Sequence, residues 1–166
     1  MNFGRLKKAM LGVLIVGVAI VSLLVASCAT LTPYDEVEEK LSSGQLIEVN
    51  GQKVHVEIAG DGEPLVLLHG FAASTYSFHQ IIPLLATRFR VIAIDLNGFG
   101  YTERPREMEA FGPLGQLEMV QSVLQELKVD SAAFVGHSYG GLLSLLLAGT
   151  EPAKVTKLIL ISPATE

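Results

Sequence analysis

The stretch Gly136-His137-Ser138-Tyr139-Gly140 constrains this chain more than any other. An apolar run, Ala132 to Val135, leads into the Gly-x-Ser-x-Gly, and an apolar, helix-compatible run follows to Ala148. The pattern predicts strand, tight turn and helix, with Ser138 at the apex. So sharp a turn strains the serine backbone and demands neighbours without bulk, which Gly136, Gly140 and Gly141 supply. The Ser138 hydroxyl then stands clear of the sheet. The first amides of the following helix face the place where an attacked carbonyl would gather negative charge. Alone, the motif is weak: about 5–10% of chains this long carry one at ordinary glycine and serine frequencies. The bland alternative is a strand–helix turn with an idle serine. Its flanking runs, together with two motifs upstream, decide against that.

Both upstream motifs close predicted strands. Leu65 to Leu68 is continuously apolar, as suits a strand covered on both faces, and it ends in His69-Gly70-Phe71. Val91 to Ile94 is a second such run, ending in Asp95 and a loop to Pro105 that contains Gly98 and Gly100. A phosphate-binding reading of that loop fails, because neither Gly-x-Gly-x-x-Gly nor a P-loop lysine is present. Ahead of them, Leu46 to Ile58 alternates around Asn50-Gly51, a hairpin signal. Its parity sets His55 opposite Val54 and Val56, on the solvent side. Ser77 to Phe89 fits one helical face, blemished by Pro83; Leu114 to Leu127 reads as an amphipathic helix; Val155 to Ile161 is a last strand. Together these predict a mainly parallel α/β sheet with helices on both faces, behind an N-terminal β-hairpin.

Composition matters chiefly at the N-terminus. Arg5, Lys7 and Lys8 precede an uncharged run from Ala9 to Ala26, and polar sequence follows Ser27-Cys28. This has the layout of an export signal. Cys28 is the sole cysteine, so no internal disulfide can form. Leu24-Val25-Ala26-Ser27-Cys28 resembles the lipobox of bacterial lipoproteins, with Val25 and Ser27 at positions where leucine and glycine or alanine are commoner. Residues 1–27 are therefore expected to be a signal peptide or membrane anchor, 28–44 a tether and 45–166 the folded domain. The alternatives to lipidation at Cys28 are a single N-terminal transmembrane helix and release by secretion. The first two readings place an exported protein at a membrane through its N-terminus. Cleavage before Cys28 would change the net charge from −5 to −8, which argues against nucleic acid and against electrostatic binding of anionic lipid.

The order His69-Gly70, then Asp95-x-x-Gly98-x-Gly100-x-Thr102-x-x-Pro105, then Gly136-x-Ser138-x-Gly140-Gly141 resembles the N-terminal half of the α/β-hydrolase fold. The branch is the one with esterases, C–C hydrolases, serine haloperoxidases and proline-type peptidases. The resemblance runs from about Leu46 to Pro163, and Thr102 stands where the family usually has serine. It implies that Ser138 is the nucleophile and that the backbone N–H groups of Phe71 and Tyr139 form the oxyanion hole. His69, Gly70, Gly136, His137, Gly140 and Gly141 then support the loop and the elbow. It also implies an acyl-enzyme route for a small ester-like substrate, with no cofactor and no metal. Serine rather than aspartate at the elbow argues against dehalogenase or epoxide hydrolase chemistry.

In this fold the triad runs serine, acid, histidine along the chain. After Ser138 the acids are Glu151 and Glu166, and no histidine follows. The expectation is a partial domain, a fragment or the product of a truncated gene, with little turnover by itself and with Val155 to Ile161 left as an apolar edge strand. The other function class is a non-catalytic, membrane-tethered binding module with the same fold.

Overall fold

The computed structural model describes residues 12–23, 36 and 41–165. The chain divides into two units, Met1–Val37 and Glu38–Glu166. In the first, residues 12–23 form a helix, α1, whose apolar side chains, Val13 and Leu23 among them, are exposed. Among the described residues, no helix is long and apolar enough to cross a membrane. Cys28, the expected cleavage position and most of the tether lie outside the described residues.

The second unit is built on a six-stranded sheet. Its strands are β1 (Gln45–Val49), β2 (Gln52–Ala59), β3 (Glu63–Leu68), β4 (Phe89–Ile94), β5 (Ala132–His137) and β6 (Val155–Ile161), in the order β1-β2-β4-β3-β5-β6. β1 and β2 form the expected hairpin, Val49 opposite Gln52. Its two-residue turn puts Asn50 at φ 53° and Gly51 at φ 78°, the left-handed pair that matches strand twist. β2 joins β4 antiparallel, while β4, β3, β5 and β6 run parallel.

Because side chains alternate along a strand, the continuous apolar runs feed two cores. Val66, Leu68, Ile92, Ile94 and Phe134 face one side, where α3 (Pro113–Glu126) and α4 (Tyr139–Thr150) cover them with Val120, Val123, Leu143 and Leu147. Leu65, Leu67, Val91, Ala93 and Val135 face the other, under Phe78 and Ile82. Each buried Val, Leu, Ile or Phe among them contributes on the order of 1.5–3 kcal/mol. Helices therefore lie on both faces, as the run pattern predicts.

Two expectations need correction. The segment from Ser77 to Phe89 is not one helix: a 3-10 turn, Thr75–Phe78, precedes a four-residue helix, α2 (Ile82–Leu85), and Phe89 already belongs to β4. Pro83 sits in the first turn of α2, where its missing N–H costs nothing; further along a helix it would break the ladder. The second correction is His55, which is 1% exposed rather than on the solvent side. The loop following β4 folds over that face of β2, so parity misassigns it.

β6 bonds to β5 and forms the end of the sheet. Ile159 and Ile161 on it are 53% and 46% exposed, the apolar edge that the sequence predicts.

Candidate active site

Ser138 sits between β5 and α4 with φ 50° and ψ −113°, a strained backbone for a residue with a side chain. Four backbone hydrogen bonds hold it there. Its N–H donates to Ile161 O (2.9 Å), and its carbonyl receives Gly141 N–H (3.0 Å), Leu142 N–H (3.2 Å) and Ala164 N–H (3.0 Å). The flanking glycines are needed for space. A Cβ on Gly136 would lie 2.5 Å from Gly140 O, and one on Gly140 would lie 2.5 Å from the carbonyl carbon of Leu68. The apolar β5 run, the glycines and the helical run after them thus produce the elbow that the motif predicts.

The loop after β3 reaches the same place. A Cβ on Gly70 would lie 3.2 Å from Ser138 Cβ and 3.0 Å from His137 Nδ1. Phe71 follows, its ring 74% exposed and edge-on to Phe99 at 5.2 Å. Among the described residues, neither Phe71 N–H nor Tyr139 N–H has a hydrogen-bond acceptor. Tyr139 begins α4, so its amide is one of the helix's intrinsically unpaired donors. Its phenol is half-buried, and burial raises its pKa.

The four histidines divide clearly. His69 is fully buried: its Nε2 accepts Leu96 N–H at 3.0 Å, and its Nδ1–H donates to Gly70 O at 2.8 Å. Those partners fix the neutral Nδ1–H tautomer, and burial lowers its pKa, so it has no lone pair to offer Ser138. His79 is exposed, stacked on Tyr76 and bonded to Tyr76 O. His137 is exposed, and its ring makes no hydrogen bond among the described residues. His55 is bound to Asp95, Nδ1 to Oδ2 at 2.8 Å. Ser138 Oγ likewise has no hydrogen-bond partner among the described residues.

The sequence names Asp95 as the first residue of its loop motif but gives it no role, which the structure supplies. Asp95 is fully buried, and its carboxylate receives Thr75 N–H (2.6 Å), Tyr101 N–H (2.9 Å) and His55 Nδ1–H. Burial alone would raise its pKa, but His55 and the two amides outweigh that, and the net direction is down. For His55 burial pulls down, and Asp95 with the Ser43 carbonyl outweighs it, leaving a raised pKa. Thr102 keeps the hydroxyl of the serine it replaces in the motif: its Oγ1 donates to Asp95 O (2.6 Å) and accepts His55 N–H (3.0 Å). The signal in the sequence was faint, an aspartate closing a buried strand just before a glycine-containing loop.

A hollow of about 680 Å³ between the β1–β2 turn, residues 103–110 and α3 does not touch Ser138. Among the described residues no cluster of ligating side chains could hold a metal ion.

Comparison with known proteins supports the same half-fold. A family profile described as alpha/beta hydrolase fold matches residues 63–166. A soluble epoxide hydrolase of Corynebacterium is 36% identical over 68% of this chain and 39% of its own length. The 2-hydroxy-6-oxo-2,4-heptadienoate hydrolase of Pseudomonas putida is 32% identical over 71% of this chain and 44% of its own. Among solved structures, a meta-cleavage product hydrolase superposes with a TM-score of 0.69 at 30% identity, covering 73% of this chain and 45% of that one. An epoxide hydrolase of Vigna radiata gives 0.67 at 28% identity, over 71% and 39%. The chain thus spans about two fifths of the length of the curated relatives it matches.

Proposed function

This chain belongs to the α/β-hydrolase family, and from that premise we propose that it carries the nucleophile half of a serine hydrolase acting on an ester-like or other carbonyl substrate. The observation that carries the reading is Ser138 on its strained turn with two unengaged amides, Phe71 N–H and Tyr139 N–H, on the segments packed around it. Ser138 Oγ attacks the carbonyl carbon. The two amides receive the oxyanion, each such donor being worth about 2.7–4 kcal/mol in serine hydrolases. Collapse of that oxyanion intermediate expels the leaving group, which takes the proton that the Ser138 hydroxyl gave to the base. Water then hydrolyses the acyl-enzyme to the free acid and Ser138.

Chemistry favours this over the epoxide-opening activity named for several relatives. Serine attack on an epoxide carbon would leave an ether, which water does not cleave, whereas attack on a carbonyl leaves a hydrolysable ester. The hydroxyl needs a base and an acid to orient that base. No described residue supplies the base, so the full reaction draws both from outside the described residues. A p-nitrophenyl ester assay tests this. The 166-residue chain is expected to show little turnover, and robust turnover abolished by Ser138→Ala would show that no further base is required.

The second reading is a tethered module of the same fold that binds without turnover. A reading frame continuing past Glu166 with an aspartate or glutamate and then a histidine would count against it. Residues 1–27 deliver the domain to a membrane, by lipid on Cys28 or by a single helix; mass spectrometry of the N-terminal peptide from membrane fractions separates the two.

A further inference from the structure

His55 and Asp95 form a buried pair that the chemistry at Ser138 does not use directly. Both nitrogens of the His55 ring face groups that accept hydrogen bonds. Nδ1 lies 2.8 Å from Asp95 Oδ2, and Nε2 lies 2.9 Å from the Ser43 carbonyl oxygen. A carbonyl cannot donate, so Nε2 carries a proton. Asp95 already receives Thr75 N–H on Oδ1 and Tyr101 N–H on Oδ2, the pattern of an ionised carboxylate, so Nδ1 carries one too.

The pair stands at the root of the loop that carries Phe71. Asp95 and Leu96 fasten that loop at both ends: Leu96 N–H bonds His69, whose ring holds Gly70 O, and the Asp95 carboxylate holds Thr75 N–H. Between them Ala72 sits at φ 57°, a conformation that the surroundings must enforce. Other groups near His55 are Glu57 on the same strand, which accepts the Ser43 hydroxyl, and the edge-on Tyr101 ring at 5.3 Å. His69, 3.9 Å beyond Asp95, is neutral through its bond from Leu96 and contributes no charge.

We propose that His55 is held as an imidazolium and that its ion pair with Asp95 positions residues 70–75, and with them the Phe71 amide, beside Ser138. The pair is a positioning element: His55 touches no reacting atom. Its bearing on catalysis rests on the reading of Ser138 above, while the ion pair itself does not. Removing the imidazolium charge leaves a buried carboxylate without its counter-charge, and the strain falls on the loop that this carboxylate anchors.

The test is nitrogen-15 NMR of the full chain in detergent micelles as pH is raised. Two proton-bearing ring nitrogens are expected for His55 at pH 6, with loss of one at a midpoint above the ordinary 6.5. The amides of Thr75, Tyr101 and Phe71 should shift with that same midpoint, while Val123 in α3 stays still. His55→Gln, which restores a donor without charge, should abolish the titration and displace the Thr75 and Phe71 amides at every pH. If that variant fails to fold, the titration of the unmodified chain decides alone. A singly protonated His55 ring at pH 6, or a Phe71 amide that ignores a titration felt by Thr75 and Tyr101, would overturn the proposal. Reaction of Ser138 with a fluorophosphonate is followed in parallel; its absence would count against the hydrolase reading and leave the ion-pair result standing.

Discussion

Gly140 packs its α-carbon against the carbonyl of Leu68, so closely that a methyl group there would lie 2.5 Å from the carbonyl carbon. Backbone stands on both sides of that contact, and neither can rotate away. Through it the first turn of α4 is seated on the end of β3, which brings the elbow and the loop after β3 to one place.

Gly140→Ala is therefore expected to destabilise the domain by about 1–3 kcal/mol through overpacking. Gly149→Ala on the same helix meets nothing within 4 Å and should stabilise it, by up to about 1 kcal/mol, through helix propensity. Urea unfolding of the two variants checks both signs together.

Stability should also depend on pH through His55 and Asp95. The His55 pKa is raised on folding, so its contribution is complete below about 6.5 and is lost as pH rises through the folded value. The Asp95 pKa is lowered, so its contribution is complete above about 3.9 and is lost as pH falls through the folded value. The pair's contribution is then greatest between about pH 3.9 and about pH 6.5 and declines in both directions beyond the folded values. Urea midpoints measured across and beyond that range in the unmodified chain and in His55→Gln should differ in slope on the alkaline side; parallel curves would remove His55 from the account.

Truncating the buried and the exposed histidine should separate them sharply. His55→Ala leaves Asp95 buried without its partner and should cost about 3–5 kcal/mol. His137→Ala removes an exposed ring with no hydrogen bond and should stay within about 0.5 kcal/mol. Thermal unfolding of the two proteins makes the comparison.

The strands, the hairpin and the elbow were legible because each rests on a local pattern. Asn50-Gly51 fixes its own turn, and the continuous runs at β3 and β4 announce burial on both faces. The β6 boundaries, Val155 to Ile161, were readable from the apolar run alone. What failed depended on tertiary cover. His55 looked solvent-facing because parity knows one strand at a time, whereas the 95–105 loop that buries it arrives from 40 residues further along. The segment around Pro83 kept helical spacing without forming a continuous helix, since spacing does not register a missing N–H in mid-helix. The elbow motif named Ser138, whereas the loop motif included Asp95 without indicating its role, because its three hydrogen-bond donors come from three separate segments.

Whether Ser138 is a nucleophile set before two waiting amides is read by mapping the adduct of a fluorophosphonate on the 166-residue chain by peptide mass spectrometry. A single, slowly formed adduct on Ser138, absent in Ser138→Ala, is expected. An adduct on another serine, or equal labelling after Ser138→Ala, would contradict it.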